Sequence, residues 1–179
     1  YFYINYKFEH SQLFYNKYFT EFDADNIENS VWVTIIPKNI KLFLKYSYKI
    51  SNAQGKEAYY NLDEIQIFKD TSYEANIYSF NFLIPIKMKT LSHQIFFTTS
   101  IKIEQRYFQS NEINDNYHLN RQDDRISLNL KTKYQIYKKT YLKLFYNYTK
   151  RNTDSPFDYV EKDKTYSLYQ TGLSILLKI

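Results

Sequence analysis

Apolar and polar residues alternate with a period of two along most of this chain, and apolar residues do not recur at helical spacing. The clearest segment spans residues 40–50, where Ile40, Leu42 and Leu44 continue into Tyr46 and Ile50, with lysines between them. Because successive side chains of a strand point to opposite faces, this pattern predicts a strand with one apolar face. The same alternation predicts strands near residues 2–9, 30–35, 40–50, 78–84, 95–104, 125–136, 142–149 and 170–179.

Connections between the predicted strands alternate in length. Short ones fall near residues 37–39, 86–92 and 138–140, and long polar ones near 10–27, 51–72, 109–124 and 152–164. Short turns on one side and long loops on the other are typical of outer-membrane barrels. We therefore predict an all-β fold, an antiparallel up-and-down transmembrane β-barrel with about eight strands, formed by residues 1–179 as a single domain. Ile65 and Ile67 alternate out of phase with Tyr78, which predicts either a bulged strand extension or a ninth strand of a larger barrel.

Composition agrees with a β-rich chain. Its 179 residues include 21 Tyr and 14 Phe but only 2 Gly and 3 Pro, so Asn, Asp and Ser are expected to supply most turn conformations. The mean hydropathy of −0.61 does not exclude a membrane barrel, since only every second residue of a barrel strand faces lipid. Tyr1 opens directly into an alternating segment, so we expect a signal segment to have been cleaved or to lie outside the printed sequence.

Alternation alone leaves open which face is covered. A soluble lipocalin-like barrel buries its apolar row, a membrane barrel exposes that row to lipid, and a β-sandwich also fits. Strand length, Tyr near strand ends and unequal loops favour the membrane barrel. The polar rows then form a basic, lumen-facing surface that includes Lys41, Lys45, Lys102, Arg106, Arg125, Lys131, Lys133 and Lys143. So many cations suit a closed eight-stranded interior poorly, which favours a wider lumen, oligomeric closure or further strands.

The last ten residues carry a more specific pattern. Gln170 is followed by Gly172, and apolar residues then occupy alternating positions at Ile175, Leu177 and Ile179. This resembles the carboxy-terminal assembly signal of Gram-negative outer-membrane β-barrels, although Ile179 stands where that signal usually has Phe or Trp. The resemblance implies a bacterial outer-membrane location, with lipid, lipopolysaccharide and the barrel-assembly machinery as partners.

The segment 152–159 and the final strand also resemble the last hairpin of barrels attached to tetratricopeptide domains in surface-export systems. That resemblance covers the final quarter of the chain. It implies a role in a surface-assembly or export complex with further protein partners.

Residues with catalytic or ligand-binding chemistry are sparse. The three histidines, His10, His93 and His118, lack metal-ligand spacing, so we expect neither a metal nor another cofactor. His118 with Asp123 and Asp124, beside Ser110 or Ser127, suggests a barrel hydrolase only faintly, because no local motif fixes nucleophile and base.

The charges of the chain point to no further partner. Segment 121–125 is expected to form a loop-end charge cluster whose ions pair across neighbouring strands or with lipopolysaccharide phosphates, in surface pairs of little energetic value. The net charge of +5 is spread along alternating faces, so we expect no nucleic-acid binding.

The sequence therefore predicts a non-enzymatic outer-membrane β-barrel that acts as a membrane anchor or as a component of a surface-assembly or export complex. Two alternatives remain at this point. One is a channel or transporter with a basic lumen, and the other is a soluble periplasmic β-barrel that carries a ligand.

Overall fold

The computed structural model of the chain describes residues 1–14, 23–38, 40–53, 58–60, 66–87, 94–137 and 140–177. These contain ten strands and one helix, in the order β1 (Phe2–Leu13), β2 (Ala24–Ile35), β3 (Lys41–Ala53), β4 (Ala58–Tyr60), β5 (Gln66–Phe68), β6 (Tyr73–Lys87), β7 (Gln94–Phe108), β8 (Gln122–Tyr137), β9 (Thr140–Asp154), α1 (Asp158–Lys164) and β10 (Tyr166–Leu177).

Eight strands form one antiparallel sheet in the order β1-β2-β3-β6-β7-β8-β9-β10. Each strand pairs with the next one along the sheet, apart from the excursion through β4 and β5. This confirms the predicted all-β, antiparallel, up-and-down arrangement, and each of the eight predicted segments overlaps a different strand. The strands are longer than expected, with 12 to 16 residues each, where a tilted membrane crossing needs about 9 to 11.

The sheet is not closed among the described residues, so closure into a barrel, by these strands or as part of a larger barrel, stays a prediction. β1 pairs only with β2, and β10 pairs only with β9. The charge of one face is unfavourable for closure by these eight strands alone. Among the side chains described, that face carries eleven Lys and Arg but only four Asp and Glu. A closed eight-stranded barrel has room inside only for its own packed side chains, and an unpaired buried charge is costly.

Two small elements lie outside the eight-stranded sheet. β4 and β5 pair only with each other, so the segment around Ile67 is neither an extension of β6 nor a ninth strand of the main sheet. Ile65 lies outside the described residues. The helix α1, which period-two alternation did not predict, precedes β10 and buries Val160 completely.

The two faces of the sheet differ sharply in burial. Only three apolar residues among those described are buried, Ala24, Ala75 and Val160, against fourteen polar or charged residues. Leu13 on β1 and Arg151 on β9 line the same cavity, so the sheet curls and its polar face is concave. We call this side the concave face and the other, largely apolar side the outward face. Soluble proteins show the reverse order, with apolar side chains inside.

Turns are built with little help from glycine. Two non-glycine residues among those described have a positive φ, Lys38 at 54° and Asn120 at 50°. Asn tolerates this left-handed region because its side chain bonds nearby backbone groups. Asn120 therefore agrees with the expected use of Asn in turns, whereas the Lys at position 38 was not anticipated.

Candidate functional site

The outward face carries a continuous apolar level that crosses all eight strands. The register between strands places one residue of each strand side by side in a row across the middle of this face. We call this row the central outward level, and it consists of Ile4, Val33, Leu44, Phe80, Ile101, Leu128, Tyr148 and Tyr169. Three of these side chains are exposed, Ile4 by 66%, Leu44 by 39% and Tyr169 by 65%, and the other five are half-buried. Monomeric soluble proteins rarely expose a continuous apolar band of this kind, which is typical of a surface that another molecule or a membrane covers.

Tyrosines mark one border of the apolar band. Tyr6, Tyr46 and Tyr78 occupy one level of the outward face, one step closer to the long loops than the central outward level. Their rings face the apolar side, and the hydroxyl groups of Tyr6 and Tyr46 donate to the side-chain oxygens of Asn29 and Asn76, each at 2.7 Å. Aromatic rings with one apolar and one polar end are typical of the interface between lipid and water.

Beyond the tyrosines, the outward face becomes polar. The next level toward the long loops joins Asn29, Tyr48, Asn76, Gln105, Asp124 and Asn152 across six strands. Tyr48 donates its hydroxyl to Glu74 at 2.6 Å. The strands therefore extend past the apolar band into a region whose side chains suit water.

The concave face is built from small polar residues. Ser30 and Ser47 are almost fully buried, and their hydroxyl oxygens lie 2.9 Å apart across the β2–β3 pair. Ala75, on the same face of β6, is fully buried. Short side chains at these positions leave space above the strands for the longer cations on their neighbours.

Carboxylates on the concave face pair with those cations. Glu28 accepts a hydrogen bond from Lys45 at 3.1 Å. Glu104, which is only 6% exposed, accepts from Lys102 at 2.8 Å and from Arg106 at 2.6 Å. Buried charge is tolerated where it is both paired and hydrogen-bonded, as it is here.

Asp123 is the most heavily bonded carboxylate described. Arg121 donates to it through two nitrogens, at 3.0 and 2.7 Å, Arg151 donates at 2.6 Å, and the hydroxyl of Thr153 donates at 2.8 Å. Asp123 and Arg121 are only 4% and 5% exposed. The expectation of weak surface ion pairs in segment 121–125 is therefore wrong for these two residues, because β8 begins at Gln122 and the concave side of the sheet covers them.

All eight cations predicted to face a lumen lie on the concave face by register. Lys45, Lys102 and Arg106 form the ion pairs given above, and Lys133 lies 4.0 Å from the ring centre of Tyr141. The others are Lys41, Arg125 and Lys131, which are exposed, and Lys143, which is partly buried. The structure thus brings the predicted row together on one surface.

The residues of the carboxy-terminal pattern lie on β10, the edge strand. Gln170 accepts from Asn147 at 3.2 Å on the concave face, whereas Ile175 and Leu177 are exposed on the outward face. A side chain at position 172 would overlap the Phe145 ring. Because Gly172 has no side chain, the ring can pack directly against the backbone of β10. Ile179 lies outside the described residues. The role of this segment as an assembly signal stays a prediction.

Loop 109–121 folds back against the ends of the strands. Asp115 is its anchor: it accepts from the Asp70 backbone N–H at 2.8 Å and from the Ser110 hydroxyl at 2.9 Å, and it lies 2.8 Å from His118 Nδ1. We call this loop together with α1 the cap, since Tyr117 of the loop packs edge-on against Tyr159 of α1.

This arrangement also bears on the hydrolase alternative. His118 contacts Asp115 and not the predicted Asp123 or Asp124, and the carboxylate stands between Ser110 and the imidazole. Nucleophile activation requires the base, here His118, to bond the hydroxyl directly. These residues therefore hold the loop in place and do not form that constellation.

Replacing Asp115 by Asn should loosen the cap. Asn offers one acceptor oxygen where the carboxylate has two, so at least one buried donor loses its partner, at about 1–3 kcal/mol of local opening free energy. Amide hydrogen exchange of residues 109–121 should be faster by the corresponding factor. The exposed Glu112 provides a control, because Glu112→Gln should leave that exchange unchanged; equal acceleration by both substitutions would contradict the anchoring role.

The same anchor should respond to acid. Burial alone would raise the pKa of the Asp115 carboxyl, but the hydrogen bonds from His118, the Asp70 backbone and Ser110 outweigh it and hold the pKa below the ordinary 3.8. A lowered folded-state pKa contributes stability above pH 3.8, and this contribution is lost as the pH falls through the folded-state value. Cap exchange in the wild-type protein should therefore accelerate only below about pH 4, a step that Asp115→Asn removes.

Sequence reasoning missed two acidic partners on the concave face, Glu28 and Asp123. β2 begins at Ala24 and β8 at Gln122, earlier than the predicted strands, so both carboxylates fall on strand rather than loop. Parity would have revealed them, because Glu28 alternates in phase with Ser30 on the polar row of β2, and Asp123 in phase with Arg125 on that of β8.

Comparisons with family models, curated proteins and solved structures return no match. Within the described part of the chain, no helix has the length and apolar character needed to cross a membrane. The described residues also contain no cluster of His, Cys, Asp and Glu suited to a metal ion. The geometry of the two faces is therefore the basis for a functional assignment.

Proposed function

We propose that this chain is part of an integral outer-membrane β-barrel and serves, without a catalytic role, as a membrane anchor or as a component of a surface-assembly or export complex. One observation carries the proposal. The curled sheet buries polar side chains on its concave face and exposes a continuous apolar band on its outward face. In this assignment acyl chains cover the band, and the tyrosine border lies at the interface with water.

The burial of polar side chains on the concave face, with apolar ones outside, argues against the soluble carrier. A lipocalin-like barrel keeps its apolar row inside, around the ligand, whereas register here places the central outward level on the convex side. Covering that side in water would require another protein surface across all eight strands of the sheet.

The two free edges support a role within a larger assembly. Lipid offers no hydrogen bonds to unpaired backbone groups, so an open sheet edge is not tolerated within the hydrocarbon region. In the membrane we therefore expect β1 and β10 to pair, either with each other or with further strands supplied by this protein or by a partner. Lipid, lipopolysaccharide and the barrel-assembly machinery are the partners that follow from the outer-membrane location.

Tryptophan fluorescence tests the proposal directly. The single Trp of the chain, Trp32, lies on the concave face beside Lys45, whereas Leu44 lies on the central outward level. In vesicles whose acyl chains carry bromine, wild-type fluorescence should be quenched weakly. The double substitution Trp32→Phe with Leu44→Trp should be quenched severalfold more strongly, because its indole contacts the brominated chains.

These two proteins form a matched pair, since each has one Trp on the same strand pair at neighbouring heights. Equal quenching in both, or a protein that stays in the aqueous fraction when vesicles are present during folding, would refute the membrane assignment. The wavelength of maximum Trp emission should also shift to the blue when lipid is added, but only for the protein that carries Trp32→Phe with Leu44→Trp.

A channel with a basic lumen is the second candidate. Its support is the surplus of cations on the concave face, eleven against four carboxylates among the described side chains. Conductance in planar bilayers separates the two functions. A channel should select anions, and Lys131→Glu should reduce that selectivity, whereas an anchor should give no steady conductance.

A further inference from the structure

A cavity of about 680 Å³ lies where the loop end of the concave face meets the cap. Strand ends supply one wall, and residues of loop 109–121 and α1 supply the other. Five of the residues that line it are cationic, and none of the described lining residues is Asp or Glu: the cations are Lys69, Arg106, Arg121, Arg151 and Lys164. The carboxylates that pair with these cations, Glu104, Asp123 and Asp163, are not among the described lining residues.

Cations outnumber carboxylates in the ion-paired group beside the cavity. Lys102, Arg106, Arg121 and Arg151 share two carboxylates, Glu104 and Asp123, so this group of six carries a net charge of +2, whereas Lys164 pairs with Asp163 at 3.0 Å. The Nε atom of Arg151 is buried and has no hydrogen-bond partner among the described residues. A positive surplus in a partly enclosed site attracts an anion more strongly than the same charge on an open surface.

Aromatic rings line the cavity beside the cations. The guanidinium of Arg106 lies 4.1 Å from the ring centre of Tyr73, and Lys164 Nζ lies 4.9 Å from that of Tyr117. Phe108 also lines the cavity, with the guanidinium of Arg121 4.4 Å from its ring centre. Rings beside cations provide apolar area for a planar group next to the attraction for an anionic one.

We propose that this cavity binds a soluble organic molecule that carries a phosphate group on a planar or apolar body. The cations would hold the phosphate, with Arg offering paired donors to its oxygens, and the rings would hold the body. The volume falls in the range of roughly 300–1,000 Å³ that small-molecule sites occupy. This binding activity goes beyond the proposed membrane role and does not depend on it.

Adenosine monophosphate, adenosine and inorganic phosphate form the test series, titrated calorimetrically into the full chain folded in detergent. The monophosphate should bind saturably and more tightly than inorganic phosphate, and adenosine should bind far more weakly than either. Added salt should weaken the binding, since it screens the charges.

Two lysines of α1 provide matched variants. Lys164 lines the cavity, whereas Lys162 on the same helix is exposed and does not. Lys164→Gln should weaken adenosine monophosphate binding about tenfold, the usual worth of one charged hydrogen bond, and Lys162→Gln should not. Arg106→Gln, on a different wall, should weaken it by a similar factor.

Absence of saturable binding, equal binding of adenosine, or equal affinity in the Lys164→Gln and Lys162→Gln proteins would overturn the proposal. A lipid source of phosphate is tested by repeating the titration in vesicles. Adenosine monophosphate should bind as well with lipopolysaccharide present as in phosphatidylcholine alone. Competition by lipopolysaccharide would overturn the assignment to a soluble ligand.

Discussion

Replacing Asp123 by Asn is expected to lower the free energy of unfolding by about 3–5 kcal/mol, the usual cost of removing one partner from a buried ion pair. Asp123 accepts four hydrogen bonds from Arg121, Arg151 and Thr153. The amide of Asn would present a donor to groups that are themselves donors, and the nearly buried Arg121 would keep its charge without a counter-ion. Urea unfolding of the protein in detergent or lipid measures this loss.

The neighbouring carboxylate provides the control. Asp124 points to the outward face, and the contacts described for its oxygens are with the Gln122 amide at 3.4 Å. Asp124→Asn should therefore change the free energy of unfolding by no more than about 0.5 kcal/mol. A loss of similar size in both variants would show that the network around Asp123 does not stabilise the fold.

Replacing Leu128 by Arg should destabilise the folded protein in lipid by about 2–4 kcal/mol, the cost of an arginine near the middle of the bilayer on the outside of a barrel. Leu128 lies in the central outward level, between Ile101 on β7 and Tyr148 on β9. An arginine there must either enter the hydrocarbon or draw water and headgroups toward it. Folding equilibria in phospholipid vesicles give the size of the effect.

Ser127→Arg is the matched control, since Ser127 is adjacent in sequence and lies on the concave face beside Thr149. An arginine at 127 faces the polar side and should cost clearly less than one at 128, although it adds another positive charge to that face. Equal tolerance of the two substitutions would contradict the facing assignment. In detergent-free buffer the comparison should not be possible, because the wild-type chain should not fold there.

The alternation itself made much of the fold predictable. In a strand, period two fixes which residues share a face, so Ile40, Leu42 and Leu44 could be placed opposite Lys41 and Lys45 without coordinates. Sequential order with alternating short and long connections likewise predicted an antiparallel meander, which the sheet order confirms. The helix α1 escaped this reasoning because its seven residues lie in a polar loop with no periodic signal to find.

The specific side-chain pairs across strands could not be predicted from the sequence. Ion pairs such as Glu28 with Lys45, and Arg151 with Asp123, depend on the register between strands, which a sequence read one strand at a time does not supply. Closure of the sheet could not be predicted for the same reason, since it depends on whether β1 and β10 pair with each other.

The sequence by itself determined the strands, their order and the division of each strand into an apolar and a polar row, because these follow from local side-chain geometry. Only the tertiary structure decided that the polar row lies on the concave side, that β1 and β10 do not pair among the described residues, and that the cap adjoins a cationic cavity. Curvature, register and loop docking arise from contacts between residues far apart in the chain, and alternation carries no information about those contacts.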